Sequence, residues 1–198
     1  MALPTASLAG PDPATLVAAL ARPTPATTAY AEVRFVDLLT RPLTLRGALE
    51  YRADGGLVKR VESPYRETTT VAAGQVTVER AGKPPRRFAL TRAPELGAFL
   101  ESFAALLGGD AARLAQAYDS SSAGDAAHWR LTLVPRDARL RKHLVRIAVD
   151  GAGSAPRCFT VEESGGDASV ILVEQAAAAP LPAPPTRAAL DQLCRGTP

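Results

Sequence analysis

Between Ala93 and Asp137 a chain that otherwise reads as strands turns helical, and few folds accommodate such an insertion. Leu96, Phe99, Leu100, Phe103, Leu106 and Leu107 recur at helical spacing and therefore line one face. Pro94 suits the first turn of that helix. Gly108-Gly109-Asp110 ends it and caps a second, with Leu114 and Tyr118 as its apolar positions. A strand-rich chain that places two apolar helices mid-sequence uses them as a cover. The concave face of a curved sheet is the surface that needs one, and the space beneath is the place for a ligand.

The strands are legible on both sides of the insertion. Ala31, Val33 and Phe35 alternate with Glu32 and Arg34. The clearest strand puts Leu43, Leu45, Leu49 and Tyr51 on one face and Thr44, Arg46, Ala48, Glu50 and Arg52 on the other. Gly47 falls on the apolar face and is expected to bend it. Ala53-Asp54-Gly55-Gly56 is a hairpin turn, followed by strands over 57–63, 66–72, 75–80 and 87–91. After the insertion, Trp129, Leu131 and Leu133 alternate with Arg130, Thr132 and Val134. Strands over 145–150, 157–163 and 168–174 follow. Ahead of all of them, a short helix through Leu16, Val17 and Leu20 follows Asp12-Pro13. Residues 120–127 read as a polar loop, and 136–143 as a basic segment that is either a turn of helix or a continuation of the strand. Residues 176–185 read as an extended Ala/Pro linker before a short helix capped by Thr186. About ten antiparallel strands with three or four short helices make an α+β chain whose long meander curls through its own twist. The expected organisation is a flexible lead over 1–13, one domain over 14–175, and the linker and terminal helix over 176–198.

Composition removes several function classes. No run of eighteen apolar residues is present to span a membrane. The net charge is +3, and twenty of the 23 basic residues are arginines scattered through strands and turns, which argues against a nucleic-acid footprint. The start, MALPTASLAGPDP, lacks a basic segment and a full apolar core, so an intact signal peptide is not expected there. No phosphate loop, dinucleotide fingerprint or metal-ligand spacing occurs, so no cofactor and no metal are expected. Ser120, Ser121, Ser122, Asp125 and His128 superficially offer a hydrolase triad. There is no Gly-x-Ser-x-Gly elbow to present a nucleophile, and the chain is not expected to be an enzyme. Arg139, Arg141, Lys142 and His143 form a basic cluster suited to a solvated face, a lipid head group or an acidic partner. Cys158 and Cys194 are too few for a disulfide-built scaffold. In an oxidising compartment they can bond and pin the tail to the sheet; in a reducing one they stand as separate thiols.

The order of these segments resembles the LolA-like periplasmic lipoprotein carriers, and most closely a divergent LolA-related subgroup. The resemblance is carried by Phe35 before "RPLTLRGALEY" (Arg41–Tyr51), "GGLVKRVESPYRE" (Gly55–Glu67), "PELGAFLESFAALLGGDAARLAQAY" (Pro94–Tyr118), "WRLTLVPRD" (Trp129–Asp137) and "ESGGDAS" (Glu163–Ser169). It implies an open, strongly curved antiparallel sheet of about ten to eleven strands, an incomplete barrel, with a helical lid over an apolar cavity. It also implies a periplasmic carrier, expected to be monomeric, that shelters the acyl chains of a lipoprotein or other lipid-like cargo between membrane-associated donor and acceptor proteins. The family's lid-holding arginine precedes a proline. Here Arg52 is the nearest position, and it runs into Ala53-Asp54 instead. The expected cavity and lid residues are Val33, Phe35, Leu43, Leu45, Leu49, Tyr51, Leu96, Phe99, Leu100, Phe103, Leu107, Trp129, Leu131 and Leu133. A second class fits the same residues: a non-carrier adaptor of a periplasmic export or acyltransferase complex, with a filled core.

Overall fold

Alternating apolar and polar residues, punctuated by glycine turns, set eleven stretches in extended conformation. They are β1 (Ala26–Phe35), β2 (Leu43–Tyr51), β3 (Leu57–Ser63), β4 (Glu67–Ala72), β5 (Gln75–Arg80), β6 (Arg86–Ala89), β7 (Tyr118–Gly124), β8 (Trp129–Pro135), β9 (Leu144–Ala152), β10 (Ala155–Glu163) and β11 (Ala168–Val173). The helices are α1 (Pro13–Ala19), α2 (Pro94–Leu107), α3 (Ala111–Ala117), α4 (Glu174–Ala178) and α5 (Arg187–Arg195). This computed structural model describes residues 10–196, without the side chains of Glu95, Leu96 and Phe99. The expected lead therefore falls mostly outside the described residues. Within it, the Asp12 carboxylate caps α1 by accepting from the Thr15 N–H at 2.8 Å.

All strands join one antiparallel sheet in the order β6-β5-β4-β3-β2-β1-β11-β10-β9-β8-β7. Each strand pairs with its sequence neighbour, except that β1 also pairs with β11 and β6 does not pair with β7. The molecule is thus an eleven-stranded ring slit open between β6 and β7, and the slit is where α2 and α3 are inserted. The curl is strong enough that side chains from β5 and β10 line one cavity. The expected open, curved sheet under a helical cover is the fold observed.

Two apolar layers flank the sheet. The concave layer joins Leu16, Val17 and Leu20 of α1, Phe103, Leu106 and Leu107 of α2, and Leu114 of α3 to the inner faces of the strands. The convex layer joins Ala31 and Val33 of β1, Cys158 of β10 and Leu172 of β11 to Ala176 and Ala177 of α4 and Leu190 and Cys194 of α5. Three local expectations change. The segment read as a polar loop over 120–127 is largely strand β7: an outermost strand with mostly exposed side chains needs no apolar alternation to pair. The expected extended linker over 176–185 instead begins inside α4, whose two alanines are buried against the sheet. The cover contains three helices rather than two, because α1 packs on α2, α3 and β7.

Gly47 lies where β2 shifts register against β3. A β-carbon there would fall 1.8 Å from the Arg60 carbonyl oxygen, so this close approach requires glycine.

Candidate functional site

The sheet's inner face and α2 enclose a cavity of about 390 Å³, within the range of roughly 300–1,000 Å³ usual for small-molecule sites. Leu45 and Leu49 of β2, Leu57 and Val61 of β3, Val71 of β4 and Val76 of β5 supply its apolar floor. Leu100 and Phe103 of α2 close it from above, with Val161 and Ile171 on the far side. A smaller space of about 130 Å³ adjoins it, bordered by Tyr51, Leu107, Phe159 and Val173. Leu49 and Phe103 border both. Phe103 is held by Phe159, ring centroids 5.2 Å apart and tilted by 58°.

The expected site residues divide by location. Leu45, Leu49, Leu100 and Phe103 line the main cavity, and Tyr51 and Leu107 the smaller one. Leu43 packs at the margin of the inner core. Trp129, Leu131 and Leu133 are fully buried in that core, away from the cavity wall. Their end of the curl is filled by α1 and α3, whose Leu16, Val17, Leu20 and Leu114 join the same cluster. Leu96 and Phe99 lie outside the described side chains. Val33 and Phe35 point the other way: both belong to the convex layer under α4 and α5. Strand alternation explains this correction. On β1 the cavity face is Tyr30, Glu32 and Arg34, the last two being the residues that alternate with the apolar ones.

Polar groups therefore enter the cavity. Glu32 is 3% exposed. Its carboxylate accepts from the Lys59 ammonium and lies 3.7 Å from Nε of Arg34. Tyr30 stands beside them, its hydroxyl buried. Glu67 and Glu163 complete the charged lining. None of these was singled out from the sequence. The available signal was the period-two pattern itself, because Ala31, Val33 and Phe35 can face only one side.

A family model described as outer membrane lipoprotein carrier protein LolA-like matches residues 5–197. The chain belongs to this LolA-like family. No curated protein matches it in sequence. Among solved structures, this LolA-like chain is similar to the LolA superfamily protein NE2245 from Nitrosomonas europaea, at 9% identity and a TM-score of 0.45 over 82% of this chain and 90% of that one. It is similar to LprF from Mycobacterium bovis, at 12% identity and 0.41 over 90% and 98%. A chain of the Pseudomonas aeruginosa MucA/MucB complex is similar at 12% and 0.42, over 82% of this chain and 56% of that one.

Arg52 lies in the β2–β3 turn, where its guanidinium approaches the Asp54 carboxylate at 3.6 Å. Arg22, read from the sequence only as a helix end, bridges the cover to the sheet. Its backbone N–H donates to the Leu107 carbonyl at the end of α2 at 2.7 Å, and its guanidinium donates to the Ser154 carbonyl in the β9–β10 turn at 2.6 Å.

The basic cluster forms the exposed connection between β8 and β9. Asp137 organises it by accepting from the N–H groups of Arg139 at 2.9 Å and Leu140 at 2.8 Å. Those backbone bonds, Leu140's foremost, hold the Asp137 carboxyl below its ordinary value. Arg141, Lys142 and His143 are exposed beside it. The turn packs against α2 and thus stands next to the cover. The serines of the supposed triad belong to β7, and Ser122 donates to the Pro11 carbonyl. Asp125 is committed to the turn before β8, accepting from the N–H groups of Ala127 at 2.8 Å and His128 at 3.0 Å. Cys158 and Cys194 are bonded and tie α5 to β10. Among the described residues no three His, Cys, Asp or Glu side chains gather as metal ligands.

Proposed function

We propose that this protein is a periplasmic carrier that reversibly shelters the acyl chains of a lipoprotein or another lipid-like cargo for transfer to the outer membrane. The observation that carries the proposal is the cavity itself: an apolar floor closed by α2 at the slit in the sheet, in a chain of the LolA-like family. Burying an acyl chain releases about 0.8 kcal/mol per methylene. Some ten methylenes thus give roughly 8 kcal/mol before the cost of immobilising the chain, which leaves binding reversible. Such a site needs walls and an opening, not a catalytic group. The disulfide supports an oxidising compartment, and no helix among the described residues is long and apolar enough to cross a membrane.

The test is lipid extraction and mass spectrometry of the purified protein, followed by titration with a fluorescent fatty-acyl probe. Saturable uptake is expected. Leu100→Trp fills the cavity from the cover side and is expected to weaken uptake at least about tenfold, with thermal unfolding little changed because Leu100 is only partly buried. Protein that is lipid-free and rejects every acyl probe would overturn the carrier reading and leave the adaptor.

A further inference from the structure

The exposed aliphatic side chains are not scattered over this protein. Among the described residues the large ones are Leu38, at 94% exposure, Leu39, Val134 and Val145. All four stand at one end of the sheet: Leu38 and Leu39 in the β1–β2 connection, Val134 at the end of β8 and Val145 at the start of β9. Single exposed leucines are ordinary, whereas aliphatic side chains gathered at one end mark a contact surface.

Three connections at this end form one rim. The Asp37 N–H in the β1–β2 connection donates to the Asp167 carboxylate in the β10–β11 turn at 2.9 Å. The Ser164 N–H of that turn donates to the His143 carbonyl in the β8–β9 connection at 3.0 Å, and its hydroxyl donates to the Lys142 carbonyl. The β1–β2 connection is itself folded, with the Leu39 N–H donating to the Val36 carbonyl at 2.8 Å. Leu38 is thus presented to solvent by a hydrogen-bonded turn.

The rim is basic. Its cations are Arg41, Arg136, Arg139, Arg141 and Lys142, and its acids are Asp37, Asp137 and Asp167. Asp137 and Asp167 accept from backbone N–H groups of the rim itself. Arg136 is taken by Asp119 at 2.9 Å, and the other four cations are exposed and make no ion pair within 4 Å among the described residues. At the other end, the β2–β3, β4–β5, β7–β8 and β9–β10 connections carry one arginine, Arg52, against Asp54 and Asp125. The main cavity lies toward the basic end: Tyr65, Glu67, Glu163 and Ser169 on its lining border the β3–β4 and β10–β11 turns. The rim also touches the cover, because residues 140–142 pack against α2.

We propose that this end is a membrane-docking face. Leu38 and Leu39 enter the interfacial layer of an anionic bilayer, Val134 and Val145 rest at its surface, and Arg41, Arg139, Arg141 and Lys142 meet the lipid phosphates. A protruding aliphatic tip needs a matching pocket in a folded partner, whereas a fluid interface yields to it. The three connections also contain no aromatic residue, the type that most often anchors one protein on another. Docking goes beyond the carrier reading: it concerns attachment to a lipid surface, not uptake of a chain. It holds the cavity and the end of the cover toward the bilayer.

Flotation of the full chain with vesicles tests this. The vesicles are phosphatidylcholine, alone or mixed in equal parts with phosphatidylglycerol, and uptake of a fatty-acyl probe is measured on the same protein. Binding to the mixed vesicles is expected to be at least about tenfold stronger than to the neutral ones and to fall as salt is added. Leu38→Ser/Leu39→Ser is expected to weaken it at least about tenfold, with thermal unfolding and acyl uptake unchanged. Arg141→Gln/Lys142→Gln should weaken it by a similar factor, and Arg52→Gln, at the other end, should leave it unchanged. The indole emission of Leu38→Trp should shift to the blue and be quenched by brominated acyl chains in the mixed vesicles; Ala53→Trp, in the β2–β3 turn, should show neither. Equal losses from Arg141→Gln/Lys142→Gln and Arg52→Gln overturn the face in favour of non-specific charge attraction. Binding that survives Leu38→Ser/Leu39→Ser overturns the insertion. No binding to either vesicle overturns membrane docking and makes a protein the occupant of the rim; with acyl uptake retained, the carrier still stands. Docking without uptake supports the face and overturns the carrier.

Discussion

At position 47 the backbone of β2 comes so close to β3 that a methyl group would strike the Arg60 carbonyl oxygen. The obstacle is main chain in a paired strand, which cannot rotate aside as a side chain can. Gly47→Ala is therefore expected to destabilise the protein by about 3 kcal/mol, the upper end of what overpacking usually costs. Gly165→Ala, where nothing lies within 4 Å of the added carbon, should be nearly neutral. Chemical denaturation of the two variants measures the contrast. Equal midpoints would mean that β2 relaxes away from β3. The sequence pointed to Gly47 because it interrupts an otherwise apolar face. It did not show which face of β1 is inside. Apolar Val33 and Phe35 suggested the cavity, but they pack under α4 and α5, and the cavity receives Tyr30, Glu32 and Arg34. A strand covered on both faces offers two apolar destinations, and alternation alone does not distinguish them.

At the scale of elements, α5 shows how a short helix is kept on a sheet. Thr186 caps it, Leu190 and Cys194 are buried beneath it, and the disulfide anchors its last turn to β10. Arg130 of β8 fastens the middle: its guanidinium donates to Asp150 at 2.7 Å and to Asp191 of α5 at 2.5 Å. Desolvation opposes the charged form of Asp191. Its hydrogen bonds and charge contacts with Arg130, and then with Arg195, together outweigh that and hold its carboxyl below the ordinary value. A carboxyl depressed in the folded state stabilises docking above its unfolded pKa of about 3.9, and that contribution is lost as the pH falls through the folded value. The crosslink closes a separation of 36 residues, and a loop of that size contributes about 3–4 kcal/mol in the chain-entropy model. A Cys158→Ala/Cys194→Ala double variant is therefore expected to lose amide protection in α5 on acidification below about pH 4, while the bonded protein retains it. Hydrogen exchange followed residue by residue tests this, and equal protection in both would remove Arg130–Asp191 as a fastening. The capped helices were legible because caps are local chemistry. Strand β7 and helix α4 were not, since their conformation comes from the neighbours they meet: β8 for a serine-rich edge, and the convex sheet face for an alanine run.

For the whole molecule, strand order carries the information. An up-and-down ring broken between β6 and β7 has two unpaired edges, and the helical cover springs from that break. Unpaired edges invite association, and this chain blunts one of them locally: Ser122 on β7 donates to the carbonyl of Pro11 in the segment leading to α1. That segment and the end of α5 meet one hairpin. A β-carbon on Gly10 would fall 2.7 Å from the carbonyl carbon of Ser122, and one on Gly196 would fall 3.3 Å from the His128 ring. Cutting the chain at Gly108-Gly109 and joining the segments around residues 10 and 196 would thus give a circular permutant in which strands run from β7 to β11 and then from β1 to β6. The β1–β11 ladder, which in the native chain aligns Tyr30 with Val173, would then join strands that follow one another. With its most distant ladder made sequential, the permutant should reach the same eleven-stranded sheet faster than the parent in stopped-flow refolding. The ring would be unchanged in space; only the place where the polymer begins to trace it would differ.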